Sequence, residues 1–183
     1  MDNSFYNQEE LSAIGFKSIG QNVLISRYAR FYDAKNIQIG SNVRIDDFCL
    51  LSGKIKLGNY IHISAYSALY AKFGIEMEDY TGLSPKCTIF SATDDFSGNY
   101  LVGPMVDSDL TNVTGGIVKI CKYSQLGSNC VVLPNLTINE GTAVGAMSLI
   151  TKDTSPWSIY TGIPASFIKA RSKNLLKFCN SNF

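Results

Sequence analysis

The chain is 183 residues long, 45% hydrophobic and 17% charged, enough for one domain with a sizeable core, which excludes disorder as its main state. Sixteen Lys and Arg against fifteen Asp and Glu give a net charge of +1, so no bulk field points to nucleic acid or an anionic membrane. A single histidine, His62, and five cysteines without a CxxC pair argue against a metal site and a disulfide framework, and favour a reducing cytoplasm. Neither a signal peptide nor a run of 18 apolar residues is visible, so a soluble chain that does not insert into a membrane is expected.

In chain order, Asn7-Gln8-Glu9-Glu10 has the spacing of a capping box and predicts a short helix before Gly15, an N-terminal cap over residues 1–18. A six-residue period then begins. Apolar residues recur at Ile19, Ile25 and Phe31, and, after two extra residues, at Ile39, Ile45, Leu51, Leu57, Ile63 and Leu69. Two more extra residues lead to Met77, Leu83 and Ile89; a long loop, 95–119, interrupts; and the period resumes at Ile120, Leu126, Val132, Ile138, Val144 and Ile150. All 18 first positions are apolar where a 45% composition gives about 8. The fifth positions are small or apolar as well, with Lys35 the clear exception.

Such a period is neither helical nor that of an ordinary strand; it predicts short strands joined by corners, three hexads to a coil, about six coils over residues 19–163. At roughly 4.8 Å per stacked strand the prism is about 29 Å tall. A loop as long as 95–119 is expected to be functional. Pro164 opens a basic amphipathic stretch that predicts a C-terminal helix and tail over 164–183.

From about residue 19 to 171 the sequence resembles the hexapeptide-repeat acyltransferases. The most specific parts are Leu126-Gly127-Ser128-Asn129, the run from Val144-Gly145-Ala146 to Thr151-Lys152-Asp153, and Gly162-Ile163-Pro164-Ala165, similar to the terminal signature of galactoside and maltose acetyltransferases. Residues 91–98 and Thr111-Asn112-Val113 look more like surface-polysaccharide O-acetyltransferases. The resemblance implies an all-β, left-handed parallel β-helix, a homotrimer with sites between subunits, and acetyl-CoA as acyl donor. It places the pantetheine arm at Gly127, Ser128, Gly145 and Ala146. Thr151, Lys152, Lys169 and Arg171 come next, where cations could meet the ADP phosphates, and Trp157 is a candidate for stacking on adenine.

The family's usual catalytic histidine is replaced here by Asp94. Counting by coils puts His62 at a corner on the cofactor edge, where it could act as general base toward a sugar hydroxyl, paired with Asp94 or Asp95 of a neighbouring subunit. Ser64, Ser128 and Asn112 are the candidate acceptor and oxyanion groups. A lone carboxylate, which ordinarily titrates near pH ~4, would be a poor base for a hydroxyl. The expectation is therefore O-acetylation of a cell-surface carbohydrate or its precursor. N-acetylation of an amino sugar, possibly nucleotide-linked, is the enzyme alternative, and a non-catalytic β-helix module the other. The bland reading of His62 is a corner residue with a satisfied hydrogen bond.

Overall fold

Short parallel strands wind into a three-sided coil in the computed structural model, which describes residues 4–179. The first face stacks Ser18–Ile19, Ile37–Ile39, the ends of Leu50–Leu57 and Ala68–Met77, then Val118–Ile120 and Thr137–Ile138. The second stacks Leu24–Ile25, Val43–Ile45, Ile61–Ile63, Gly82–Leu83, Gln125–Leu126, Ala143–Val144 and Ser158–Thr161. The third holds Arg30–Tyr32, the starts of Leu50–Leu57 and Ala68–Met77, Thr88–Phe90, Val131–Val132 and Leu149–Ile150. Six coils result, with a shortened seventh. We name the corners by order: the first edge joins the first and second faces, the second edge joins the second and third, and the third edge leads back to the first face.

The hexad sets this register. First positions pair with first positions: Ile45 with Ile63, Ile63 with Leu83, Leu126 with Val144, Val132 with Ile150. All of them are buried except Ile19 and Phe31, both in the first coil, where one stacking neighbour is missing. Each buried Ile or Leu contributes about 1.5–3 kcal/mol, so the column of aliphatics is the main source of stability. Small polar fifth positions are tolerated inside because they bond corner carbonyls: Ser148 Oγ donates to Gly145 O at 2.7 Å, and Thr142 Oγ1 to Asn139 O at 2.6 Å.

Two details of the repeat differ from expectation. Corners fall on the three residues after each first position, not on the sixth: residues one and five both point inward, so the residue between them must point outward from mid-strand. His62 is such a residue, between buried Ile61 and Ile63. The exception at Lys35 and two further fifth positions that simple counting misplaces have one cause. Extra residues enter at the third edge, before the fifth position, so Ile37, Ile75 and Val118 take the inward sites that simple counting gave to Lys35, Phe73 and Thr93.

At the N-terminus the helix Gln8–Ile14 has the expected capping box, Glu10 N donating to Asn7 Oδ1 at 2.9 Å and Asn7 N to Glu10 Oε2 at 2.7 Å. The interrupting loop ends at 117 instead of 119, because Val118 and Lys119 already belong to the first face. Its neck is closed by Ala92–Thr93 pairing antiparallel with Thr114–Gly115. The C-terminal prediction needs the larger correction. Ser166–Ala170 is a strand, antiparallel to Ser158–Thr161, and the only helix beyond Pro164 among the described residues is Leu176–Cys179. The last coil exposes unpaired backbone groups, and pairing them outweighs the amphipathic pattern that favoured a helix.

Candidate active site

The second edge is the regular one. Successive coils place Asp46-Asp47-Phe48, Ser64-Ala65-Tyr66, Ser84-Pro85-Lys86, Gly127-Ser128-Asn129 and Gly145-Ala146-Met147 one above the next. The leading residues are tied coil to coil: Ser64 N donates to Leu83 O at 3.0 Å, Ser84 N to Leu126 O at 2.9 Å, Gly127 N to Val144 O at 2.8 Å and Gly145 N to Tyr160 O at 2.8 Å. The N–H groups of Gly127 and Gly145 are thus spent on the fold. The N–H groups of Ser128 and Ala146 have no hydrogen-bond partner among the described residues, so these, not the glycines, can meet an amide carbonyl. Glycine at 127 answers to packing: a Cβ there would lie 2.6 Å from Ala146 N.

The third edge is irregular and carries Asp94. This residue stands between two cavities. One, of about 520 Å³, is lined by Tyr70, Lys72, Thr93, Thr111 and Val113; the other, of about 290 Å³, by Phe90, Phe96, Leu133 and Pro134. Asp95 and Asn112 are engaged with each other, Asn112 Nδ2 donating to Asp95 Oδ2 at 3.1 Å while Ser97 N donates to Asp95 Oδ1 at 2.7 Å. Hydrogen bonds from Ser97 and Asn112 hold the Asp95 carboxyl below the usual carboxylate range. Together they brace the neck of the loop.

His62 stays on the second face within its own chain. Its Nε2 lies 2.7 Å from Asp46 Oδ2, and Arg44 Nε donates to Asp46 Oδ1 at 2.7 Å. Burial works to raise the Asp46 carboxyl, but the hydrogen bonds from Arg44 and His62 outweigh it and hold the group below its ordinary value. The imidazole remains half exposed.

The remaining predicted cofactor residues are scattered in one chain. Thr151 and Lys152 follow Leu149–Ile150 at the third edge. Trp157 caps the first edge, its ring 6.0 Å from Tyr123 and 5.5 Å from Lys173 Nζ. Arg171 is fastened to the same edge through Nη1, which donates to Tyr123 O at 2.8 Å and Gly141 O at 2.9 Å. Lys169 lies opposite Ile159 in the terminal hairpin. A single chain brings Gly127, Ser128, Gly145, Ala146, Ser64 and Ser84 onto one edge and sets Asp94 on another.

No family model matches the chain. Over 95% of its length it is 42% identical to a dTDP-4-amino-4,6-dideoxy-D-glucose acyltransferase of Escherichia coli, covering 92% of that protein. The chain belongs to the hexapeptide-repeat acyltransferase family. Solved structures of AntD, an N-acyltransferase from Bacillus cereus, agree over the same extent. The S84T variant, in complex with dTDP and coenzyme A, has a TM-score of 0.95 and 48% identity, covering 98% of this chain and 97% of that one. A maltose O-acetyltransferase from Clostridium difficile 630 shares the fold at a TM-score of 0.65 and 20% identity, covering 94% of this chain and 79% of that one. Ser84 is not among the site residues read from the sequence: it occupies the corner position of Ser64 and Gly127, where a serine also reads as corner filler, as at Ser26.

Proposed function

We propose that the chain is an N-acyltransferase that passes an acyl group from acyl-CoA to the amine of a dTDP-linked 4-amino-4,6-dideoxy sugar. The expected O-acetylation of a surface carbohydrate thus gives way to the N-acylation alternative. One observation carries this reading: the AntD complexes include variants at a serine numbered 84 and an aspartate numbered 94, and this chain has Ser84 on the regular edge and Asp94 on the irregular one. The two edges stand on opposite sides of the third face. Copies packed side by side around an axis bring the second edge of one to the third edge of the next, which is the homotrimer that the resemblance implies.

The chemistry follows from the groups. An amine carries its own lone pair, so no strong base is needed before attack. Nitrogen attacks the thioester carbonyl, the C–N bond forms and the C–S bond breaks. The proton shed by nitrogen passes by way of the Asp94 carboxylate to sulfur, which leaves as the thiol of CoA. Ser84 Oγ or the N–H of Ser128 donates to the oxyanion. Cysteine nucleophiles are not invoked: Cys49, Cys87 and Cys130 are buried, and the partly exposed Cys121 and Cys179 stand at the first edge and in the helix Leu176–Cys179, away from Ser84 and Asp94, so direct transfer is the proposed route and not ping-pong. The test is thiol release from acyl-CoA with dTDP-4-amino-4,6-dideoxyglucose. Release with this acceptor and none with neutral sugars is expected; equal rates on a plain sugar hydroxyl would overturn the reading.

A second reading keeps O-acetylation with His62 as base, and the Asp46–His62 pair favours it, since a carboxylate on Nε2 leaves Nδ1 free to take a proton. His62→Ala separates the two. A kcat loss of about 100-fold belongs to the hydroxyl reaction, and a change within about threefold to the amine reaction.

A further inference from the structure

The third edge bears a strip of cations that the transfer step does not use. Lys54 and Lys72 occupy this corner in successive coils, adjacent because Gly53 pairs with Ala71. Lys17 and Lys56 stand beside them on the first face, and with Lys54 line a cavity of about 320 Å³ that also includes Asn36, Gln38 and Glu76. Lys72 lines the neighbouring cavity that holds Asp94. Among the described residues, none of these four lysines has a carboxylate within ion-pair distance. In a chain whose net charge is only +1, the grouping is local. The backbones that carry Lys54 and Lys72 are one coil apart, about 4.8 Å along the axis; like charges grouped in this way repel each other, and a bound anion offsets that cost.

We propose that this strip binds the diphosphate of a nucleotide-linked sugar, and so lets the enzyme distinguish that acceptor from a free amino sugar. The inference rests on the nucleotide-sugar reading above. Lys72, lining the cavity that holds Asp94, and Lys54, lining the other cavity one coil away, are the proposed phosphate ligands, since ammonium groups act on phosphate as point charges. Lys17 extends the positive field along the approach, and Lys56, directly opposite Glu76, adds less to it. The sugar then projects from Lys72 into the cavity where Asp94 stands, and the amine arrives at the edge where the thioester is presented.

Calorimetry with dTDP, thymidine and pyrophosphate tests this on the parent protein, on the Lys54→Gln/Lys72→Gln double variant, and on Lys119→Gln, which removes a cation on the first face outside the strip. The double variant is expected to lose about tenfold in affinity for dTDP, with thymidine unaffected. Raising salt should shrink the difference, because exposed phosphate contacts are screened. Unchanged dTDP binding in the double variant, a parallel loss of thymidine, or an equal loss in Lys119→Gln would each overturn the assignment while leaving the nucleotide-sugar reading intact. A parent protein that binds none of the three would instead overturn that reading, and the strip with it.

Discussion

The second and third edges of the prism are built from the same hexad and have opposite characters. Along the second, every coil turns in the same way, and each corner is fastened to the next by a backbone bond of 2.8–3.0 Å from Ser64 to Gly145. Along the third, the turns differ: a 3-10 turn at Ala34–Asn36, two extra residues between Ala71 and Ile75 that shift the register against Gly53 and Ile55, and then the long loop. Every phase break in the sequence falls on this edge. A periodic stack can vary freely only where the inserted residues leave the column of aliphatics undisturbed. The two inward residues of each strand are held by that column, so the insertions collect at one corner. On the proposed function, rigid presentation of the thioester and variable recognition of the acceptor fall on different edges of one chain.

The sharpest way to break this division is Asp94→Ala. It removes a loop carboxylate without touching the column, so melting temperature should stay constant while kcat falls about 100-fold or more. Mixing then asks whether the edges meet between copies. Ala146→Trp fills an exposed position of the second edge and should abolish donor binding. Co-refolding Asp94→Ala with Ala146→Trp should recover about a quarter of parental activity, because a random assembly pairs an intact second edge with an intact third edge in that fraction of sites. Two inactive parents giving an inactive mixture would mean that each chain holds its own complete site.

Legibility follows the same line. Strand register, the core and the corner stack of Gly127, Ser128, Gly145 and Ala146 could be counted from the sequence, because burial of an aliphatic at every sixth residue leaves a periodic trace. The third edge could not be counted. Asp94 was noticed only because a resemblance marked its place, and its two cavities depend on how residues 92–117 fold back, which no period records. His62 was misplaced by two positions for a related reason: the hexad tells which residues point inward, and the corner had to be assigned around them. The strand Ser166–Ala170 leaves no trace in the period because its pairing partner is an edge created by the end of the repeat.

A glycine comparison tests how much rigidity separates the edges. At Gly127 a side chain meets backbone, Ala146 N at 2.6 Å, so Gly127→Val should force the coils apart and destabilise by about 2–4 kcal/mol. At Gly98, in the loop, nothing lies within 4 Å and only the left-handed φ of +87° opposes a side chain. Gly98→Ala should therefore cost about 1 kcal/mol. Urea midpoints of the two variants measure the contrast, and equal losses would erase it.

The smallest effect concerns the Asp46–His62–Arg44 group beside the second edge. Because the folded-state pKa of Asp46 lies below its unfolded value, its ion pairs stabilise the fold fully above the ordinary carboxylate pKa of about 3.9, and that contribution is lost as pH falls through the folded value. Asp46→Asn should melt below the parent at pH 7, with the gap closing as the pH drops below about 4. The same substitution also discriminates between roles for His62. If the imidazole only braces the face, Asp46→Asn changes the melting curve and leaves the pH–rate profile in place. If His62 accepts the acceptor's proton, removing its carboxylate lowers kcat as well, and catalytic groups would then stand on the second face beside the edge proposed to present the donor.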